Sequence, residues 1–530
     1  MHADTATIVG LITPVNLRFV VPVYQRPYTW GQRECAQLWD DMMTVGRAAK
    51  DARLRSEYGG RTLMPPSHFT GSIVWVQDGA VSSSGVESRL LIDGQQRVTT
   101  LMLVFVALAR YACCHPERAS QLSFSAQEIL DDGYLTNKHR NGVDHYKLTL
   151  SKGDRAVFQV LVDELESGEQ TETAAASPVP IAPATSEGDL LVQAEGASHL
   201  QENLAYFERQ LETVDANIIW LGIQQLQVAS IALTEGQDNP QLVFESMNST
   251  GKDLSSADLV RNFILMSAPI ESQESLYRSF WRPIEQSLDT DNGAELFENF
   301  LHDWLTASCA PQTFKRSDIY ATFKRYVRDN GYSSGNAIIT LINQLRRTVR
   351  SYVHITQGRI MEGCDSRPEI DAALADLRKL GQADISPQTA VNPLLLFFYD
   401  AYDQQDIDAA VLERSLRITE SYLLRRLVCN CSPEGMKEFF SQLIARLEGV
   451  RAVGGDFAVA YASYLLNEEG NSLRFPVDDE FCRALALRNA DDWDATTAIG
   501  SALQMGDKAP VRWAYPQLSE ATRAIYRRGL

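Results

Sequence analysis

The residues of this chain that could do chemistry are densest at Asp93-Gly94-Gln95-Gln96-Arg97-Val98-Thr99-Thr100-Leu101. A carboxylate, two amides and a guanidinium lie between the apolar run Leu90-Leu91-Ile92 and the long apolar stretch from Leu101 to Tyr111. The first run reads as a buried strand and the glycine-containing segment as a tight turn. The stretch ending near Pro116 reads as a helix, too short to span a membrane. Strand, turn and helix N-terminus aim backbone N–H groups and a helix dipole at one spot, which suits an anion such as phosphate. Arg97 adds a forked, permanently charged donor, and Asp93 could hold the magnesium ion that a phosphate chain also needs. The same residues are equally compatible with an ordinary polar turn between core elements.

A second cluster lies upstream. Residues 17 to 24 are β-branched and aromatic and read as an extended segment, with Pro22 marking an edge or a strand end. Tyr24-Gln25-Arg26-Pro27-Tyr28-Thr29-Trp30 follows directly. Amide and guanidinium donors on a Pro-pinned turn among aromatics could hydrogen-bond a phosphate or a base while Tyr24 and Tyr28 stack on it; an aromatic corner packed on the core would look the same. A third cluster runs from Val243 to Leu259, where a helix is expected to end at Asn248-Ser249-Thr250-Gly251. A second helix then starts with Ser255 as its cap and Asp258 three positions on. Gly251-Lys252 is no P-loop, because the earlier glycine is missing and Asp253 stands where a magnesium-binding Ser or Thr belongs. Asn248 and Lys252 could still touch phosphate from that turn, or simply sit in a capped connection. His68 borders another expected strand, Phe69 to Val76, and could face the site or serve the fold alone.

The elements that position these clusters belong to a long, acidic chain. Its 530 residues exceed what one core accommodates, so two or three domains are expected. The hydrophobic share of 45% is ordinary for a globular protein, and the net charge of −19 excludes a surface that is basic throughout. A nucleic-acid partner then requires a local basic patch. Candidates on the helical second half are Lys315-Arg316, Lys324-Arg325 with Arg328, Arg346-Arg347 with Arg350, and Arg425-Arg426, each also readable as a solvated helix face. The eight cysteines show no zinc spacing and read as reduced, mostly buried thiols. The N-terminus has no signal-peptide pattern, and no apolar run reaches the ~18 residues of a membrane helix, so a cytoplasmic protein without membrane contact is expected. Leu226 to Leu233 reads as a further buried strand. Residues 167–198, rich in Ala, Pro, Ser and Glu, read as a disordered insertion. From about residue 270 the periodicity is helical nearly to the end, with no fixed repeat. The fold class expected is α+β: a mixed α/β domain over 1–266, then a mostly helical domain over 267–530.

Three stretches taken together carry a resemblance: Val21-Pro-Val-Tyr-Gln-Arg-Pro-Tyr-Thr-Trp30, Asp93-Gly-Gln-Gln-Arg-Val-Thr-Thr-Leu101 and Phe244-Glu-Ser-Met-Asn-Ser-Thr-Gly-Lys-Asp-Leu-Ser-Ser-Ala-Asp-Leu259. In this order they resemble the N-terminal domain of the GmrSD and SspE group of modification-dependent restriction proteins, over roughly residues 8 to 266. The segment from Arg417 to Leu447 also resembles that group's linker region, less specifically. The resemblance implies a ParB/sulfiredoxin-like body that binds and hydrolyses nucleoside triphosphate (GTP or ATP) with magnesium. It also implies recognition of modified double-stranded DNA, phosphorothioated or glucosylated, in anti-phage defence. Carried over by motif, Asp93, Gln95, Gln96 and Arg97 would form the hydrolysing turn, with Gln95 or Gln96 positioning the attacking water. Tyr24, Gln25 and Arg26 would line the adjoining pocket, with Gly94, Thr99, Asn248 and Lys252 at nucleotide or DNA. Members of the group carry a C-terminal HNH-type nuclease built around a histidine, and this sequence has none after His354. The chain is therefore expected to stop short of a nuclease module or to act with a partner nuclease. Self-association is allowed. The alternatives are a modified-DNA-binding module without turnover and a helical scaffold whose Asp93–Arg97 turn is purely structural.

Overall fold

The structure, a computed structural model, describes residues 1–59, 64–77, 85–131, 133–167, 187–234, 237–248, 255–268, 270–288, 293–332, 336–362, 367–381, 388–467 and 472–487. The chain divides into two units, one of Met1–Leu254 with Arg261–Tyr277, the other of Ser255–Val260 with the chain from Arg278 onward. The two units interleave in sequence: one helix gives its first turn to the second unit and the rest to the first.

The first unit is built on a mixed six-stranded sheet of order β1-β6-β3-β4-β2-β5. Its strands are β1 (His2–Thr7), β2 (Leu17–Val20), β3 (His68–Gln77), β4 (Glu87–Asp93), β5 (Leu148–Thr149) and β6 (Leu226–Leu233). Its helices are α1 (Ile8–Ile12), α2 (Gln32–Gly59), α3 (Gln95–Cys114), α4 (Ala126–Asp131), α5 (Lys152–Ser167), α6 (Glu187–Leu211), α7 (Ala216–Gln225) and α8 (Pro240–Asn248). Most of α9 (Ser256–Met266) and α10 (Ile270–Leu276) follow. β2 pairs in parallel with both β4 and β5, and β3 in parallel with β6, while β3 and β4 run antiparallel.

The centre of this unit is α3. From Val98 to Ala109 its residues are buried without a break, Thr100 to Ala109 almost entirely withdrawn from solvent. A helix apolar all round must be enclosed, and α3 is enclosed by its neighbours in the domain core. At 20 residues it is long and apolar enough to cross a membrane, which corrects the shorter reading from Leu101 to Tyr111. Its burial makes it a core helix, and its first turn contains Gln95, Gln96 and Arg97. On one side of the core α2 crosses α7 at almost backbone contact. A Cβ at Gly46 would lie 2.0 Å from the Ile218 carbonyl oxygen, and one at Gly222 would lie 2.1 Å from that of Met42.

The second unit is helical: α11 (Arg282–Ser287), α12 (Gly293–Ser308), α13 (Ile319–Asp329), α14 (Asn336–Gln357), α15 (Pro368–Gly381), α16 (Gln388–Asp403), α17 (Ala409–Val428), α18 (Met436–Ala452), α19 (Phe457–Leu466) and α20 (Asp478–Leu487). The first turn of α9 belongs here, and the Ser255 hydroxyl caps it by accepting the Asp258 N–H at 3.1 Å, as the sequence pattern predicts. The α+β class is therefore as expected.

Three expectations need correction. The Ala/Pro/Ser-rich stretch does not stay unstructured to 198: α6 begins at Glu187, where helix formers replace prolines, while residues 168–186 lie outside the described residues. The cysteines are not mostly buried. Among the described residues only Cys35 is; Cys113 and Cys114 are exposed at the end of α3, as is Cys482. Arg425 and Arg426 form no basic surface, since both are buried. Arg425 donates to the Pro476 carbonyl (2.9 Å) and pairs with Asp478 (2.6 Å), and Arg426 donates to the Ser472 carbonyl (2.8 Å).

Candidate functional site

β4 leads directly into α3 through a single residue. Gly94 takes φ +89°, a left-handed conformation, so the chain reverses into the helix without a longer turn. Space requires glycine there as well, because a Cβ would meet the Ser72 carbonyl oxygen at 2.9 Å. The turn expected across residues 93–97 is thus only Gly94, and Gln95-Gln96-Arg97 is already helix. Glycine as the N-cap supplies no side chain to the first-turn N–H groups. An α3 start without a side-chain cap favours an anion.

The two glutamines face inward and tie this helix to the aromatic loop of residues 24–30. Gln96 Oε1 accepts the N–H groups of Thr29 (2.8 Å) and Trp30 (3.2 Å), and its Nε2 donates to the Pro27 carbonyl (3.1 Å). Gln95 Nε2 donates to the Arg26 carbonyl at 3.3 Å. The tie is reciprocal, for Gln25 Nε2 donates to the Ile92 carbonyl at the end of β4 (3.0 Å). Three further elements hold the same loop. Asp154 of α5 accepts the Tyr28 N–H (2.7 Å), Asn203 of α6 donates to the Trp30 carbonyl (2.7 Å), and Arg261 donates to the Tyr24 carbonyl (2.9 Å). Two motifs some 70 residues apart in sequence are one hydrogen-bonded structure.

This arrangement alters several expected roles. Tyr24 and Tyr28 are 2% and 3% exposed, so neither ring presents a face to a base. The Tyr28 hydroxyl shares a hydrogen bond with Thr100 (2.7 Å) and accepts from Asn203 (3.1 Å), while burial raises the Tyr24 phenol well above its ordinary range. The Thr99 hydroxyl is buried and donates back to the Gln95 carbonyl at 2.8 Å. Gln95 and Gln96 are buried, with their amides in the loop ties. His68 stands against Asp41 of α2, 3.4 Å away. Asn248 closes α8, and Lys252 lies outside the described residues.

The charged members of the two clusters, Asp93, Arg97 and Arg26, are each partly exposed. Burial raises the Asp93 pKa, against the Gly94 amide, the Arg97 charge and the Ser72 hydroxyl 3.5 Å away, which lower it. Arg97 donates to the Ser72 carbonyl at 2.9 Å. Its guanidinium lies beneath Gly71, where a Cβ would approach it to 2.8 Å. β3 deforms to receive it: Gly71 has φ +109°, and the pairing with β6 shifts register between Phe69 and Ser72. A second irregularity, between Val74 and Trp75, lies opposite Asp93. Bulges commonly re-aim groups beside functional sites. Gly71, Ser72, Asp154 and Asn203 were not anticipated as site residues. Only the glycine inside a strand pattern signals a close approach, and what approaches is invisible in sequence.

Among the described residues no cluster of three or more His, Cys, Asp or Glu could hold a metal ion. A magnesium ion bound chiefly by phosphate oxygens and water needs only one or two carboxylates, and Asp93 fits that lesser role. Asp93 is partly exposed at the end of β4, with the Gly94 amide, the Ser72 hydroxyl and the Arg97 charge beside it.

Residues 8–265 match the family model described as the N-terminal domain of GmrSD restriction endonuclease. No curated protein matches the chain.

Proposed function

Because residues 8–265 match the GmrSD restriction endonuclease N-terminal domain family, we propose that this chain works in a modification-dependent restriction system, binding and hydrolysing nucleoside triphosphate to control attack on modified DNA in the cytoplasm. The observation that carries the reading is the α3 N-terminus without a side-chain cap, with Arg97 in its first turn and Asp93 at the strand end before it. Amides and guanidinium together stabilise the charge that builds on phosphate oxygens during transfer. Asp93 would hold magnesium there, and the ion would supply neutralisation of the phosphate charge. Gln25, Gln95 and Gln96 act as positioning residues, tying the loop that carries Arg26 to the end of β4 and the start of α3.

The three loop hydrogen bonds of the Gln96 amide also favour a second reading, a module that binds nucleotide or modified DNA without turnover. Phosphate release from ATP and GTP with magnesium separates the two. It is measured with plain, phosphorothioated and glucosylated DNA, on the wild-type protein and Arg97→Ala. Turnover that rises with one modified DNA and vanishes in the variant supports the sensing nucleotidase. Folded wild-type protein that releases no phosphate in any arm overturns it in favour of the binding module.

A further inference from the structure

The second unit contains a cleft of about 870 Å³ bordered by α12, α13, α16, α18 and the segment before α13. Clefts of this size take small organic ligands. Lys315, Arg325 and Lys437 stand at it, from three separate segments, and all three are exposed. Several arginines of this acidic chain have carboxylate partners: Arg451 meets Asp400 and Asp406, Arg474 meets Glu480, and Arg417 meets Asp376 and Glu420. None of the three cleft cations has a carboxylate within 4.0 Å among the described residues, although Asp318 and Glu438 line the same cleft. Cations gathered without partners on a body of net charge −19 attract an anion.

The floor has a different character. Phe314, Phe440 and Pro393 give it apolar surface, with the Phe314 ring 5.1 Å from that of His302. Ser441 also lines it, is 1% exposed, and its hydroxyl has no hydrogen-bond partner among the described residues. Serine in a helix usually bonds the carbonyl four residues back, so a buried free hydroxyl beside a cleft awaits a partner.

We infer that this cleft binds a nucleotide unit, with its phosphate held by Lys315, Arg325 and Lys437 and its ring laid on the apolar floor beside the Ser441 hydroxyl. The unit comes either from free nucleotide or from a nucleic-acid strand. The inference does not depend on the α3 site.

The test uses the full chain and two probes, an azido-adenosine triphosphate for photolabelling with peptide mapping, and a short fluorescein-labelled single strand for anisotropy. Both are run on wild type, on the Arg97→Ala protein, on a triple variant (Lys315→Ala, Arg325→Ala, Lys437→Ala) and on Ser441→Ala. Free nucleotide as the source predicts label on peptides containing Phe314 or Phe440, retained in Arg97→Ala and reduced at least tenfold in the triple variant. A nucleic-acid source predicts instead a tenfold loss of strand affinity in the triple variant without label at those peptides. In either case Ser441→Ala weakens binding severalfold without lowering the melting temperature, because the hydroxyl it removes has no partner. The inference is overturned if the triple variant binds both probes within twofold of wild type, or if wild type binds neither at this cleft.

Discussion

Arg97 and Gln96 are neighbours in one helical turn, yet their substitutions should fail in different ways. Arg97 makes one hydrogen bond to a strand carbonyl at a half-buried position. Arg97→Ala should cost only about 1 kcal/mol of stability while reducing phosphate release on the order of a hundredfold or more. Gln96→Ala would leave two loop N–H groups and the Pro27 carbonyl unmatched in a largely buried setting, at a cost of roughly 2–4 kcal/mol. Activity lost in Gln96→Ala should therefore track unfolding. Chemical denaturation of both variants, paired with turnover, checks this. A Gln96→Ala protein as stable as wild type but inactive would return that amide to the chemistry and overturn its positioning role.

At the scale of elements, the crossing of α2 and α7 gives a prediction whose sign depends on contact distance. Glycine to alanine inside a helix ordinarily stabilises by about 1 kcal/mol. At Gly46 the added methyl would lie 2.0 Å from a backbone carbonyl of the facing helix, which cannot swing aside as a side chain would. Gly46→Ala should therefore destabilise, by about 3 kcal/mol, within the range of severe overpacking. A thermal melt that rises with this substitution would show that the helices do not cross at backbone distance.

The same scale explains what the sequence reveals. Leu226–Leu233 and the strand around Phe69 to Val76 are legible because buried, β-branched side chains spell them out. His2–Thr7 is not: its side chains are largely exposed, and it joins the sheet through backbone pairing with β6, which leaves no side-chain pattern. The site was legible as two donor-rich clusters. Their partnership was not, since an amide that binds a phosphate and one that binds a distant carbonyl are the same residue in sequence. In sequence the start of α3 reads late for a related reason. Three polar residues read as a turn until the burial of Gln95 and Gln96 by the facing loop makes them helix.

At the scale of the whole molecule, stability answers to pH through the net charge and through individual buried groups. With a pI near 5.0 and a net charge of −19 at pH 7, self-repulsion grows as pH rises. Asp154 adds a local dependence of the same direction. Burial raises its pKa to about 6 from 3.8, with the Tyr28 N–H and Ser151 hydroxyl opposing the shift. The folded state thus holds a proton that the unfolded chain has released over that window, so its contribution is complete below pH 3.8 and is lost as pH rises through about 6. The loss is on the order of 3 kcal/mol. Asp154→Asn keeps an oxygen for the Tyr28 N–H and removes the titration, while leaving the chain-wide repulsion nearly unchanged. The variant should therefore be more stable than wild type at pH 8 and should lose less stability between pH 4 and 7. Amide exchange at Tyr28 localises the effect, because that N–H is the one Asp154 holds at 2.7 Å. Parallel pH profiles for the two proteins at that amide would assign the whole dependence to net charge and none to Asp154.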